Sequence, residues 1–144
     1  MREIREVIFR GKRLHDNKWI YGNFISDCEG NPHIIEPRFF CEDGHHLQYE
    51  DNTDTPVFII PETVGQFTGL TDKNGKRIFE GDIVSLVKHD GLIYKVVYVP
   101  CRYELVNSKG VNCFVLDIYK SENIEVIGNI HDNPDILKGG GDNG

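Results

Sequence analysis

The chain contains no alanine, while isoleucine and valine together supply 28 of its 144 residues against 8 leucines. That vocabulary excludes a helix-rich fold. Alanine is the best helix former, whereas β-branched side chains lose χ1 freedom against a helical turn and pack well on a pleated surface. Fifteen glycines, eleven asparagines and six prolines supply the turns that many short strands need. Apolar residues at 39 %, with the glycines added, reach the share of a soluble globular protein and exclude disorder for the bulk. The length suits one domain or two small ones sharing a core. No apolar run approaches the roughly 18 residues that cross a bilayer, and the charged opening from Met1 to Arg13 is not followed by the apolar core of a signal peptide. A cytoplasmic protein without a membrane partner is expected.

Patterning places the elements. Arg5 to Leu14 and Lys18 to Ile25 read as strands joined by the polar link His15-Asp16-Asn17, an opening hairpin. In the second strand Trp19 and Tyr21 share one face while Ile20, Gly22 and Phe24 share the other, so the strand is expected to be central in its sheet. His33 to Glu36 and Val57 to Ile60 are short strands, and the acidic stretch 37–56 between them reads as a long loop. Pro61 opens a single helical turn. Asp72-Lys73-Asn74-Gly75-Lys76 is a tight turn before a strand at Arg77 to Phe79. Further strands are predicted over Ile83 to Val87, Leu92 to Val99, Tyr103 to Val106, Val111 to Tyr119 and Asn123 to Ile130, a spacing that suggests a small barrel. Asp132 to Asp135 reads as a terminal turn, and 138–144 as a flexible tail.

The net charge of −7 is spread unevenly. Residues 1–26 carry six basic and three acidic groups, 27–62 one and nine, and 63–144 nine and eleven. An acidic chain repels a phosphate backbone on average, so nucleic-acid binding would need a local basic face. Arg2, Arg5, Arg10, Lys12 and Arg13 are the one candidate, and Glu3 and Glu6 interrupt it.

Three stretches carry a resemblance. Phe9-Arg10-Gly11-Lys12 with Trp19-Ile20-Tyr21-Gly22, the string PETVGQFTGLTDKNGKRIFEGDIV from Pro61 to Val84, and Val126-Ile127-Gly128-Asn129-Ile130 with Asp132-Asn133-Pro134 appear in one order across residues 9–137. In this the chain resembles the YopX family of small bacteriophage and prophage proteins. The resemblance implies an intracellular, mainly β protein of phage origin, with an N-terminal sheet region and a C-terminal part similar to an SH3-like barrel. It implies no activity and carries over no catalytic residue.

The side chains that could do chemistry are few. Cys28, Cys41, Cys101 and Cys113 contain no Cys-x2-Cys pair, so the nearest approach to a metal-ligand set is Cys41 with His45 and His46. Free thiols in a reducing cytosol are the plainer reading, with Cys101 and Cys113 facing one another across strands as small buried hydrophobes. None of the four serines stands in a nucleophile elbow. Glu80 and Asp82 flank Gly81 and could bind a cation or divide acid and base roles, but a tight turn whose solvated acids cap backbone amides is the favoured reading. Gly65, Gly69, Gly75 and Gly81 lack the spacing of a phosphate loop.

The expected protein is therefore mainly β, with residues 1–60 as an antiparallel sheet region, 61–137 as a small SH3-like barrel and 138–144 as a tail. The expected function is a non-catalytic interaction module without a cofactor, binding a phage or host protein or a further copy of itself. Its candidate surface comprises Arg10, Lys12, Arg13, Trp19, Tyr21, Gln66, Thr68, Glu80 and Asp82. The alternative is nucleic-acid binding through the barrel or the basic hairpin, where Trp19 and Tyr21 could stack on bases. A metal-dependent enzyme using Glu80, Asp82 or the Cys41, His45, His46 loop is a third reading.

Overall fold

Short strands joined by tight turns make up most of the regular structure, as the residue vocabulary requires. The computed structural model describes residues 6–35, 39–40, 48–49, 57–88 and 91–141. They fall into two compact units divided between Gln66 and Phe67.

In the first unit β1 (Phe9–Lys12) and β2 (Trp19–Ser26) form the antiparallel opening hairpin. Asn17 adopts φ 60° in the link, a region that Asn tolerates better than most residues. The Asp27 carboxylate caps the next turn, accepting from the amides of Glu29 and Asn31 at 2.9 Å each, before β3 (Pro32–Ile35) pairs with the other side of β2. β2 is thus central, as its two-sided apolar pattern predicts. The stretch expected to be a long acidic loop holds a two-residue ladder, β4 (Phe39–Phe40) with β5 (Gln48–Tyr49), and its other residues lie outside those described. β6 (Val57–Phe58) pairs with β3 and is tied back to the end of β1, where Leu14 N donates to Phe58 O at 3.0 Å and Ile60 N to Lys12 O at 2.9 Å.

Ile20, Ile34 and Ile59 form this unit's core, with Phe9, Val57 and Val64 against them. Gly11 is required by the packing, because a Cβ there would overlap Ile59 Cγ2. A single 3-10 turn over Pro61–Thr63 follows, as expected, and buries a polar clasp. Thr63 Oγ1 donates to Ile60 O at 2.6 Å and accepts from Lys12 N at 2.8 Å.

β7 (Gly65–Thr71) was not anticipated, since its glycines argue against a strand. Its first two residues pair with β1, and from Phe67 onward it pairs with β8 (Arg77–Phe79) of the second unit. The glycine signal marks a bulge within it: Gly69 sits at φ 92° where the register with β8 shifts.

The second unit continues as a meander of β9 (Asp82–Leu86), β10 (Leu92–Val99), β11 (Arg102–Val106) and β12 (Asn112–Val115). A short helix, α1 (Ile118–Ser121), then leads to β13 (Ile124–Asn129), which returns beside β9. The antiparallel order is β12-β11-β10-β9-β13. Val84, Leu86, Tyr94, Val96, Leu105, Leu116, Ile124 and Ile78 fill the core on one face. α2 (Pro134–Gly141) packs against β10.

The described residues depart from the expected pattern at three places. The sheet is open, no pairing among the described residues joining β12 to β13, so a closed SH3-like barrel is not shown. The strand expected to reach Tyr119 stops at Val115, because the Asp117 carboxylate accepts from Lys120 N at 2.9 Å and starts α1 instead. Asp132 lies in a turn as expected, but Pro134 and Asp135 open a helix, α2, that takes in the first part of the expected tail.

Candidate binding face on the opening hairpin

The β1–β2 register sets Arg10 opposite Tyr21 and Lys12 opposite Trp19. Opposed residues of an antiparallel pair share a face, so these four side chains gather on the side away from Phe9, Gly11 and Ile20. The Arg10 guanidinium lies 4.7 Å from the centroid of the Trp19 ring, and the Lys12 ammonium 5.5 Å from it. Cations over an indole gain about 0.5–2 kcal/mol, more as water is excluded. Arg10 is only 6 % exposed whereas Tyr21 is 43 % exposed, so the indole and phenol, with the half-buried Lys12, form the accessible part.

Arg13, the third basic group of the expected surface, is neutralised locally. Arg13 forms a two-pronged ion pair with Asp16, its Nε donating to Oδ1 at 3.0 Å and its Nη2 to Oδ2. The Arg13 hydrogen bond, opposed by partial burial and reinforced by the Lys18 amide, holds the Asp16 carboxyl below its ordinary range. The hairpin therefore presents less positive charge than its sequence suggests.

Of the other expected surface residues, Gln66 belongs to the first unit and Thr68, Glu80 and Asp82 to the second. Gln66 lies opposite Phe9 in β7, on the apolar side. Thr68 uses its hydroxyl within the β7 bulge, donating to Ile78 O at 2.8 Å and accepting from Leu70 N at 3.2 Å. Asp82 is 2 % exposed and accepts from Phe79 N at 2.7 Å, while Glu80 is half-buried across Gly81 at φ 91°. The capping role expected for Asp82 is present, but its solvation is not. Cys101 and Cys113 are exposed and do not face one another: Cys101 stands in the β10–β11 turn at φ 76°, and Cys113 is the unpaired residue of a bulge between β11 and β12. Cys41, His45 and His46 lie outside the described residues. Among those described, no three His, Cys, Asp or Glu side chains group so as to hold a metal ion.

Sequence reasoning missed two polar clusters. Asp72, read only as a turn residue, accepts from the amides of Asn74 and Lys76 at 2.9 Å each and from Val126 N at 3.0 Å, 54 residues away. Burial pushes its carboxyl up, but the hydrogen bonds from Val126, Lys76 and Asn74, with the Lys76 charge, outweigh that and leave it below the ordinary value. In the Gly128 to Pro134 segment, Asn129 Oδ1 accepts from His131 N at 3.0 Å and Asp132 N at 2.9 Å, and Asn133 Oδ1 accepts from Asn129 N at 3.2 Å. These clusters hold turns in place. The density of Asn and Asp around glycine was the available signal.

Among the described residues no helix is long and apolar enough to cross a membrane. No curated protein matches the chain. Among solved structures it is similar to the crystal structure of protein EF1440 from Enterococcus faecalis, at 22 % identity and a TM-score of 0.55, covering 92 % of this chain and 98 % of that one. That likeness extends over the fold as a whole. The family model for YopX protein matches residues 8–138, which take in all three of the sequence blocks quoted above, and the chain therefore belongs to the YopX family.

Proposed function

We propose that this protein is a non-catalytic interaction module of phage origin that works in the bacterial cytoplasm and receives a protein partner on the β1–β2 face. The observation that carries the reading is the clustering of Trp19, Tyr21 and Lys12 beside the buried Arg10. Aromatic residues and arginine dominate binding hot spots, since they offer large contact area with few rotatable bonds and a polar handle. The strand order of the second unit, whose fifth strand returns beside the first after one helical turn, supports reading it as an opened SH3-like barrel that scaffolds the module.

Nucleic-acid binding through the same face is the second reading, because a base can stack on an exposed aromatic ring. Charge weighs against it. Arg13 is engaged by Asp16, Arg10 is buried and the chain carries −7. The test is capture from nuclease-treated lysate of infected or prophage-induced bacteria, comparing the wild type with Tyr21→Ala and Lys12→Glu. A stoichiometric protein held by the wild type and lost from both variants, at unchanged thermal midpoints, supports the module. Nucleic acid recovered without nuclease and released steeply by salt overturns it in favour of the second reading.

A further inference from the structure

Among the described asparagines only Asn74 is followed by glycine. The pair lies in the β7–β8 turn, where both residues are exposed. Gly75 sits at φ 81°, and beyond its chain neighbours no atom lies within 4 Å of where a Cβ would stand. The backbone nitrogen of Gly75 is therefore uncrowded by any side chain and open to reaction with the carboxamide before it. The hydrogen bonds of the turn oppose that reaction. Gly75 N donates to Asp72 O at 3.0 Å, and the amides of Asn74 and Lys76 donate to Asp72 Oδ1 at 2.9 Å each. Ring closure swings the Asn74–Gly75 peptide until its nitrogen faces Asn74 Cγ, and this breaks the bond to Asp72 O. The same turn attaches β13: Val126 N donates to Asp72 Oδ2 at 3.0 Å, and Lys73 N to Ile124 O at 2.9 Å.

We propose that Asn74 is a site of spontaneous deamidation, restrained by the Asp72 clasp while the chain is folded, and that its conversion to isoaspartate loosens the attachment of β13. The step uses water and changes no oxidation state. Gly75 N attacks Asn74 Cγ; the new Cγ–N bond forms as the Cγ–Nδ2 bond breaks, and the amide proton of Gly75 leaves with Nδ2 as ammonia. Water then opens the cyclic imide. Cleavage of the Cγ–N bond gives aspartate in the ordinary chain, whereas cleavage at the backbone carbonyl gives isoaspartate, with the chain running through Cγ and the former backbone carbonyl freed as a carboxylate. The isoaspartate inserts a backbone carbon between the amides that Asp72 holds at positions 74 and 76 and brings a second negative charge beside it. The Asp72 carboxylate then no longer fits those amides and that of Val126 together.

This inference stands apart from the partner reading of the β1–β2 face, and its test uses the purified full chain alone. Peptide mass spectrometry with isoaspartate-specific methylation follows residue 74 at neutral pH in the folded wild type, in the wild type unfolded by urea, and in folded Asp72→Ala. The unfolded chain should convert about tenfold or more faster than the folded one, and Asp72→Ala should recover most of that difference. A second measurement keeps the test open if Asp72→Ala does not fold. Wild type converted in urea, refolded and separated by charge should exchange its Val126 amide about tenfold faster in the isoaspartate form than before conversion. Asn74→Asp, which keeps the ordinary backbone, should exchange it much as the wild type does. No isoaspartate at residue 74 in urea, equal rates in the folded and unfolded chains, a folded Asp72→Ala that converts no faster, or unchanged Val126 exchange in the isoaspartate form overturns the proposal.

Discussion

Replacing Asp72 by asparagine tests the reasoning about the turn clasp most directly. The carboxylate serves three amides with two oxygens: Oδ1 accepts from Asn74 and Lys76, and Oδ2 from Val126. Asparagine has one acceptor oxygen. Kept on the turn, where Asn is a good former, it points its NH2 group at the Val126 amide, donor against donor. Val126 is half-buried in β13, so its amide loses its partner at a cost of about 1–3 kcal/mol, and alanine, which releases all three amides, costs about 2–4 kcal/mol. At about 4 °C per kcal/mol, a 2 kcal/mol loss lowers the thermal midpoint by roughly 8 °C.

Acid gives the same substitution a second readout. Because the folded-state pKa of Asp72 lies below the unfolded value of about 4, its contribution is complete above that value and is lost as pH falls through the folded pKa. The gap between wild type and Asp72→Asn should be full at neutral pH and shrink in acid, where the protonated carboxyl, like an amide, offers one acceptor and one donor group. Urea unfolding across this range, with hydrogen exchange at the Val126 amide, measures both effects. A variant within about 0.5 kcal/mol of wild type at pH 7, or unchanged exchange at Val126, would refute the clasp.

Gly128→Ala should destabilise by about 1–3 kcal/mol, since the new Cβ would stand 2.6 Å from Asn133 Oδ1, which is held by the Asn129 amide; chemical denaturation should also show it costing less in an Asn133→Ala background than alone. Gly11→Ala, driven into Ile59, should lower the first unit's thermal midpoint by a loss of similar size, about 1–3 kcal/mol, whereas an unchanged midpoint would mean that β1 and Ile59 can separate freely. Thr63→Val strips the Lys12 amide of its acceptor and should cost about 1–3 kcal/mol in urea titration, while Thr63→Ser keeps both hydrogen bonds and should recover most of it.

The strands were legible where side-chain alternation and a turn signal coincided. Trp19 to Ile25 read as central from its two apolar faces, and the hairpin link then fixed which side chains met Arg10 and Lys12. β7 was illegible because Gly65 and Gly69 carry no β preference, and pairing with β1 and then β8 holds it extended. α1 was read as strand because Ile118 and Tyr119 are good β formers, and the Asp117 cap alone reverses that. α2 was illegible because its glycines are poor helix formers; its opening is set by Pro134 and it packs on β10. In the candidate site, Arg13 was counted as available charge because its ion pair closes only once the hairpin turns. The Asp72 clasp spans more chain than any local pattern can report.

The return of β13 to β9 also bears on how the chain emerges from the ribosome. β9 can pair with β10 soon after both are made, but Ile124, the partner of Leu86, follows it by 38 residues. At translation rates of about 5–20 residues per second, the nascent sheet carries an unpaired β9 edge for roughly 2–8 s. Asp72 and Lys73 are synthesised before β9, but their contacts at this place are with β13 itself and cannot form until it arrives. A ribosome slowed within 87–123 would prolong that interval, making codon choice there a determinant of how much chain reaches the native state.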